Sequence, residues 1–118
     1  MSPELIDHFS NPRNVGELAP PAVTVVVENP ICGDILRLSV LFANGKAAEV
    51  RYKVRGCTAS IAAGSALTEL LAGRNLAALR QLTVDDVENA VGGLSNESKH
   101  AAALCRDGVR ALLAQAPV

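Results

Sequence analysis

The stretch Asn29 to Val40, NPICGDILRLSV, sets Cys32, Gly33 and Asp34 on the lip of a strand-like run. Residues two apart on an extended chain point to the same side, so the Cys32 thiol and the Asp34 carboxylate face one way. A second thiol, Cys57, follows Gly56 at the mouth of a helical pattern. Unpaired amide N–H groups and the helix dipole favour anionic sulfur at such a place. Gly33 and Gly56, one beside each cysteine, allow a second backbone or a ligand to come close. Soft thiolates of this kind select zinc, copper(I) or iron–sulfur clusters over magnesium and calcium.

Each residue also has a plainer reading. A lone cysteine is most often a small buried hydrophobe. An aspartate ahead of a strand is often a turn residue bonding its neighbours. The third cysteine, Cys105, lies in an apolar helical stripe. His100 stands five residues before it, roughly 140° around a helix, which is awkward for a shared ion. His8 reads as a surface helix residue, as His100 would alone. Arg37, Arg55 and Lys99 read as solvated faces.

The elements that must position these groups are legible in outline. SPELIDHF is a short helix: Ser2 caps, Pro3 suits the first turn, and Leu5, Ile6 and Phe9 share a face. Asn11 to Pro21 is a loop by its Pro, Gly and Asn content. AVTVVVENP forms a strand in which Val23, Val25 and Val27 alternate, ended by Pro30. Leu36, Leu38, Val40 and Phe42 line one face of a second strand. In EVRYKVRG, Val50, Tyr52 and Val54 oppose Glu49, Arg51, Lys53 and Arg55. Asn44-Gly45 between them is a hairpin signal.

The register of that hairpin matters. A strict two-residue turn pairs Val40 with Glu49 and Phe42 with Ala47, mixing buried and wet faces. One extra loop residue or a bulge repairs this and pairs Leu38 with Val50 or Tyr52. Gly33 and Asp34 then lie opposite Val54 to Cys57, so the Cys32/Asp34 lip and Cys57 meet at one end of the sheet.

The remainder reads as helices. The first, CTASIAAGSALTELLAG, has Ile61, Leu67, Leu70 and Leu71 on a face and Gly73 closing it. NLAALRQL and VDDVENAVGG are shorter, and Asn96 to Gln115 is a last amphipathic helix with Ala101, Leu104, Cys105, Gly108 and Leu112 as its stripe. Strands first and helices after imply an α+β fold, a small three-stranded antiparallel sheet with helices packed on one face.

Composition bounds the function. At 118 residues, 49% hydrophobic and with net charge −1, the chain is expected to form one domain, 1–118, with a core built on Val, Leu, Ile and Ala. The near-neutral charge argues against nucleic acid as a partner. No apolar run approaches the roughly 20 residues of a membrane span. The opening MSPELIDHF has no basic-then-apolar leader, so the cytoplasm is the expected compartment. Three cysteines in a reducing compartment point to metal, catalysis or burial rather than to disulfides.

DHFSNPRNVGEL (Asp7 to Leu18), NPICGD (Asn29 to Asp34) and GCTASIAAGSALTELLAG (Gly56 to Gly73) resemble the U-type iron–sulfur cluster assembly scaffolds, the IscU, SufU and NifU N-terminal family. The order and spacing match across nearly the whole chain. The resemblance implies a SufE/NifU-like fold and a carrier rather than an enzyme. Such a carrier receives sulfur from a cysteine desulfurase, assembles a labile [2Fe–2S] cluster and passes it to iron–sulfur acceptor proteins. It also implies that Cys32 and Cys57 are ligands and that Asp34 is a carboxylate ligand keeping the cluster labile. An oxygen donor among sulfurs suits a protein that must let its cluster go.

The likeness departs at the last helix, where the family carries an adjacent His-Cys pair. Here His100 is followed by Ala101, and Cys105 comes one turn later. Three outcomes stay open. His100 completes the site; Cys105 is the working thiol, as ligand or persulfide acceptor; or Cys105 is core packing. A zinc-binding persulfide acceptor is the alternative function, with zinc in place of the cluster or iron. The proline-rich stretch read by an Hsp70-type chaperone is replaced by GGLSNES, which argues against that partner. The long insertion of the zinc-binding SufU branch is also missing.

Overall fold

The computed structural model describes residues 2–115. Helix α1 (Pro3–Ser10) precedes strands β1 (Val23–Glu28), β2 (Ile35–Ala43) and β3 (Lys46–Arg55). Helices α2 (Thr58–Leu71), α3 (Leu76–Arg80), α4 (Val84–Ala90) and α5 (His100–Gln115) follow, with a 3₁₀ turn at Asn96–Ser98 just before α5. The three strands form one antiparallel sheet in chain order. Helices α2 and α5 pack on one face of it. The α+β architecture read from the sequence is the observed one.

The β2–β3 hairpin keeps both a tight turn and a bulge. Asn44 and Gly45 take φ of 54° and 75°, the left-handed pair that a two-residue hairpin needs. Ala43 therefore faces Lys46 and Phe42 faces Ala47, after which the register shifts and Leu41 faces Glu49. Ala48 is the extra residue. The shift places Val40 opposite Val50, Leu38 opposite Tyr52 and Leu36 opposite Val54, so apolar residues meet on the helix side. Ile35 faces Arg55, and this sets Asp34 over Gly56.

The core lies between sheet and helices. Leu36, Leu38, Val40, Val50 and Tyr52 are buried there with Leu67, Leu104 and Leu112. Each such leucine contributes about 1.5–3 kcal/mol by leaving water. The Tyr52 hydroxyl donates to the Ile61 carbonyl at 2.8 Å, which satisfies the one polar atom on this large side chain. The outer edge of β3 is covered by Asn14–Gly16. The Tyr52 N–H donates to Asn14 O and the Gly16 N–H to Tyr52 O, each at 2.9 Å. Among the described residues no helix is long and apolar enough to cross a membrane.

Helix α1 differs from expectation. Leu5 and His8 face inward, while Ile6 and Phe9 are 48% and 42% exposed. The reason is the surface that α1 meets: Leu5 packs on Ala62, Ala66 and Val91, a patch of small side chains that admits a narrow ridge. His8, read as a surface residue, is 7% exposed and bonded to Ser65. Helix α2 is likewise buried on several sides, at its Ala, Gly and Ser positions as well as at Leu67 and Leu71.

Candidate metal centre

Three elements bring donors together at one end of the sheet. Asp34 enters from the residue before β2, Cys57 is the N-cap of α2, and His100 is the first residue of α5. His100 Nε2 lies 3.4 Å from Asp34 Oδ2 and 3.4 Å from Cys57 Sγ. The three donor atoms all lie within 4.8 Å of one another. Ligands about 2.0–2.3 Å from a tetrahedral ion stand roughly 3.3–3.8 Å apart, so the two closest separations already fit one ion.

The imidazole is held in the orientation that a metal requires. His100 Nδ1 donates to the Glu97 carbonyl at 3.0 Å, and a carbonyl has no proton to give. Nε2 is thereby the ring nitrogen presented to Asp34 and Cys57. No Lys or Arg forms an ion pair with Asp34 among the described residues. Nitrogen, oxygen and sulfur donor atoms thus face one another at the spacing a bound cation would need.

Asp34 is buried and firmly placed. Burial pushes its carboxyl pKa up. Hydrogen bonds from Ser60, from the Cys57 thiol and from the Cys57 backbone, with the charge of His100, outweigh that, and the net shift is below the ordinary value. Gly56 is what lets the carboxylate sit here. A Cβ at that position would stand 2.5 Å from Asp34 Cγ, so any other residue would push the acid out.

Ser60 is the residue that sequence reasoning missed. It is 1% exposed, donates to Asp34 Oδ2 at 2.6 Å and stands 3.4 Å from Cys57 Sγ. The signal was available: Cys57 and Ser60 are three apart at the start of a helix, where their side chains share a face.

The two remaining sulfurs lie elsewhere. Cys32 is exposed on the loop Asn29–Asp34 and outside the trio. The Asn29 side-chain carbonyl accepts from the N–H groups of Ile31 and Cys32 at 2.9 and 3.3 Å, and Gly33 turns the chain at φ 73°. No side chain or backbone crowds Gly33, so its glycine serves the turn and not a close approach. The donors that this structure holds together are thus one sulfur, one acid and one imidazole, with the Cys32 sulfur on the neighbouring loop.

Cys105 is 1% exposed within the core, and burial pushes its thiol up to about 12. Of the three placements open for it, the structure shows the packed one, and His100 takes the position at the site. The physical reason is the helix phase: Cys105 shares its stripe with Ala101, Leu104, Val109 and Leu112, all buried. Lys99 pairs with Glu88 of α4 at 3.2 Å and pins the start of α5. Arg37 pairs with Glu17 at 3.4 Å.

Residues 1–116 match the model of the NifU-like N terminal domain. The chain belongs to that family. Within it, the chain is 33% identical over 109 residues to the iron–sulfur cluster assembly scaffold protein IscU 1 of Archaeoglobus fulgidus, covering 92% of this chain and 71% of that one. It is 39% identical over 109 residues to the bifunctional protein NifU/MnmA of Rubrobacter xylanophilus, covering 91% of this chain and 22% of that longer one. The NifU-like fold recurs in a Fervidobacterium islandicum protein assigned as a SUF-system iron–sulfur cluster assembly scaffold. That match has TM-score 0.74 at 18% identity over 96% of both chains. An N-terminal NifU-like protein of Brucella abortus matches with TM-score 0.65 at 19% identity, covering 97% of this chain and 80% of that one.

Proposed function

We propose that this NifU-like chain is an iron–sulfur cluster assembly scaffold, a binding and transfer protein whose cargo is a labile [2Fe–2S] cluster. The observation that carries the reading is the meeting of Asp34, Cys57 and His100, with Nε2 turned toward the other two. Cys32, exposed on the loop that Gly33 turns, is the fourth donor in this reading. One carboxylate and one imidazole among sulfurs, at an edge open to water, favour release over storage. Sulfur would come from a cysteine desulfurase and the finished cluster would go to acceptor proteins. GGLSNES stands ahead of α5 in place of a proline-rich segment, which argues against an Hsp70-type chaperone as a partner. We place the protein in the cytoplasm.

The spacing of the trio also suits a single zinc ion, which supports the second reading, a zinc-bearing persulfide acceptor with Cys32 or Cys57 as the receiving thiol. Anaerobic reconstitution with ferric iron and sulfide separates the two. The scaffold reading expects a visible-absorbing [2Fe–2S] species that is lost on Cys57→Ala and longer-lived on Asp34→Ala. A colourless protein holding one tight zinc favours the acceptor. Failure to bind either metal stoichiometrically rejects both.

A further inference from the structure

We propose that the cleft between α3, α4 and α5 is a docking site for an acidic, leucine-bearing segment of a partner protein. The cleft encloses about 310 Å³ and is lined by Arg80, Arg106 and Arg110, with no acidic residue among its lining. Leu79 and Val109, both buried, lie in its wall. Three cations converge here in a chain whose net charge is −1. Arg106 and Arg110 are four apart on α5 and so stand together on one helix face.

One guanidinium nitrogen here is short of an acceptor, while Arg80 and Arg110 are exposed. Arg106 Nε is buried and is the one buried side-chain nitrogen or oxygen without a hydrogen-bond partner among the described residues. A donor withheld from water and left unpaired is unfavourable until an acceptor arrives. The ion pair Arg106 does make, to the adjoining Asp107, is long at 3.5 Å. Neither Arg80 nor Arg110 forms an ion pair among the described residues.

This chemistry selects its occupant. Carboxylates match the planar fork of arginine, and an aliphatic side chain matches the apolar wall. A nucleic-acid backbone would use the charges and leave the wall bare. A flat membrane surface cannot reach into a concave cleft. An extended or helical segment carrying Glu or Asp beside Leu answers both features. Arg106 and Arg110 follow His100 by roughly 9 and 15 Å along the axis of α5. A segment docked there leaves Asp34, Cys57 and His100 accessible, so a partner could hold the protein while the metal site works.

The test is a titration of ¹⁵N-labelled full-length protein with a blocked synthetic peptide alternating leucine and glutamate. Saturable shifts are expected at the amides of Leu79, Val109 and Arg110 and at the Arg106 Nε–H. Replacing glutamate by lysine in the peptide should abolish them. Arg110→Glu should weaken binding roughly tenfold or more while zinc affinity stays unchanged, and Arg80→Glu provides a second surface variant of the same kind. The proposal is overturned if no shifts occur or if the lysine peptide binds equally. It is equally overturned if citrate or phosphatidylserine vesicles reproduce the shifts and the acidic peptide does not.

Discussion

Helix α2 serves two clusters of closely similar composition, one at its start and one a turn and a half further on. In the first, Ser60 joins Asp34, Cys57 and His100. In the second, Ser65 joins His8, Glu69 and Arg13. Both hold a histidine, a serine and an acid, but they cannot do the same work. In the second, Ser65 Oγ lies 2.7 Å from His8 Nδ1 and accepts from the Arg13 N–H at 2.9 Å. His8 Nε2 faces Glu69 at 3.5 Å, and the Arg13 guanidinium lies 3.0 Å from the ring. Both ring nitrogens are engaged and the positive charge is already there. That cluster fastens α1 to α2. In the first, a thiol stands where the second has its guanidinium, and one ring nitrogen is tied to a backbone carbonyl so that the other is free to bind. The residue types do not distinguish a metal site from a structural latch; the source of the positive charge does.

The largest effect should come from the donors themselves. Cys57→Ala or His100→Ala should lower zinc affinity by more than about 100-fold, beyond the range usual for indirect partners, while Cys105→Ser leaves it unchanged. Competition with a chromophoric chelator measures this. Equal losses at Cys105 would erase the distinction between packed and working thiol.

Ser60→Ala should come next, at about 10–100-fold in zinc affinity, because Asp34 loses the hydrogen bond that orients it. The effect should vanish in an Asp34→Ala background, which a merely structural role for Ser60 would not produce. At the matching position of the other cluster, Ser65→Ala should leave zinc affinity alone and cost about 1–3 kcal/mol of stability, since the Arg13 N–H loses its partner. Urea unfolding gives that number. A change in zinc affinity there would mean that the two clusters are not independent.

The smallest effect is a pH dependence confined to the latch. Burial, with Arg13 beside it, lowers the pKa of His8 from its usual 6.5, against Glu69 and Asp7, which raise it. A histidine with a depressed folded pKa gives stability that is present above 6.5 and is lost as pH falls from there through the folded value. Stability measured across this window should therefore fall toward acid, and His8→Gln should flatten that slope. A slope of the opposite sign would show that His8 is charged in the fold.

Much of this was legible in the residues. Alternation in β2 and β3, together with Asn44-Gly45, demanded a correction to the register, and the bulge at Ala48 is that correction. It was enough to bring Asp34 beside Cys57. What lay beyond sequence was set by surfaces that meet only in three dimensions. Nothing local says that α1 would press Leu5 and His8 onto the alanines of α2 and leave Phe9 outside. Whether His100 or Cys105 faced the site depended on the phase at which α5 settles on the sheet. The exposed position of Cys32 follows from the Asn29 turn, whose side-chain bonds override the simple extended geometry.

Cobalt(II) substitution followed by visible absorption reads the donor set most directly. A tetrahedral spectrum with sulfur-to-cobalt charge transfer is predicted, strongly weakened by Cys57→Ser, altered by His100→Ala and identical to wild type in Cys105→Ser. A spectrum that survives loss of Cys57 and disappears with Cys105 would contradict the account.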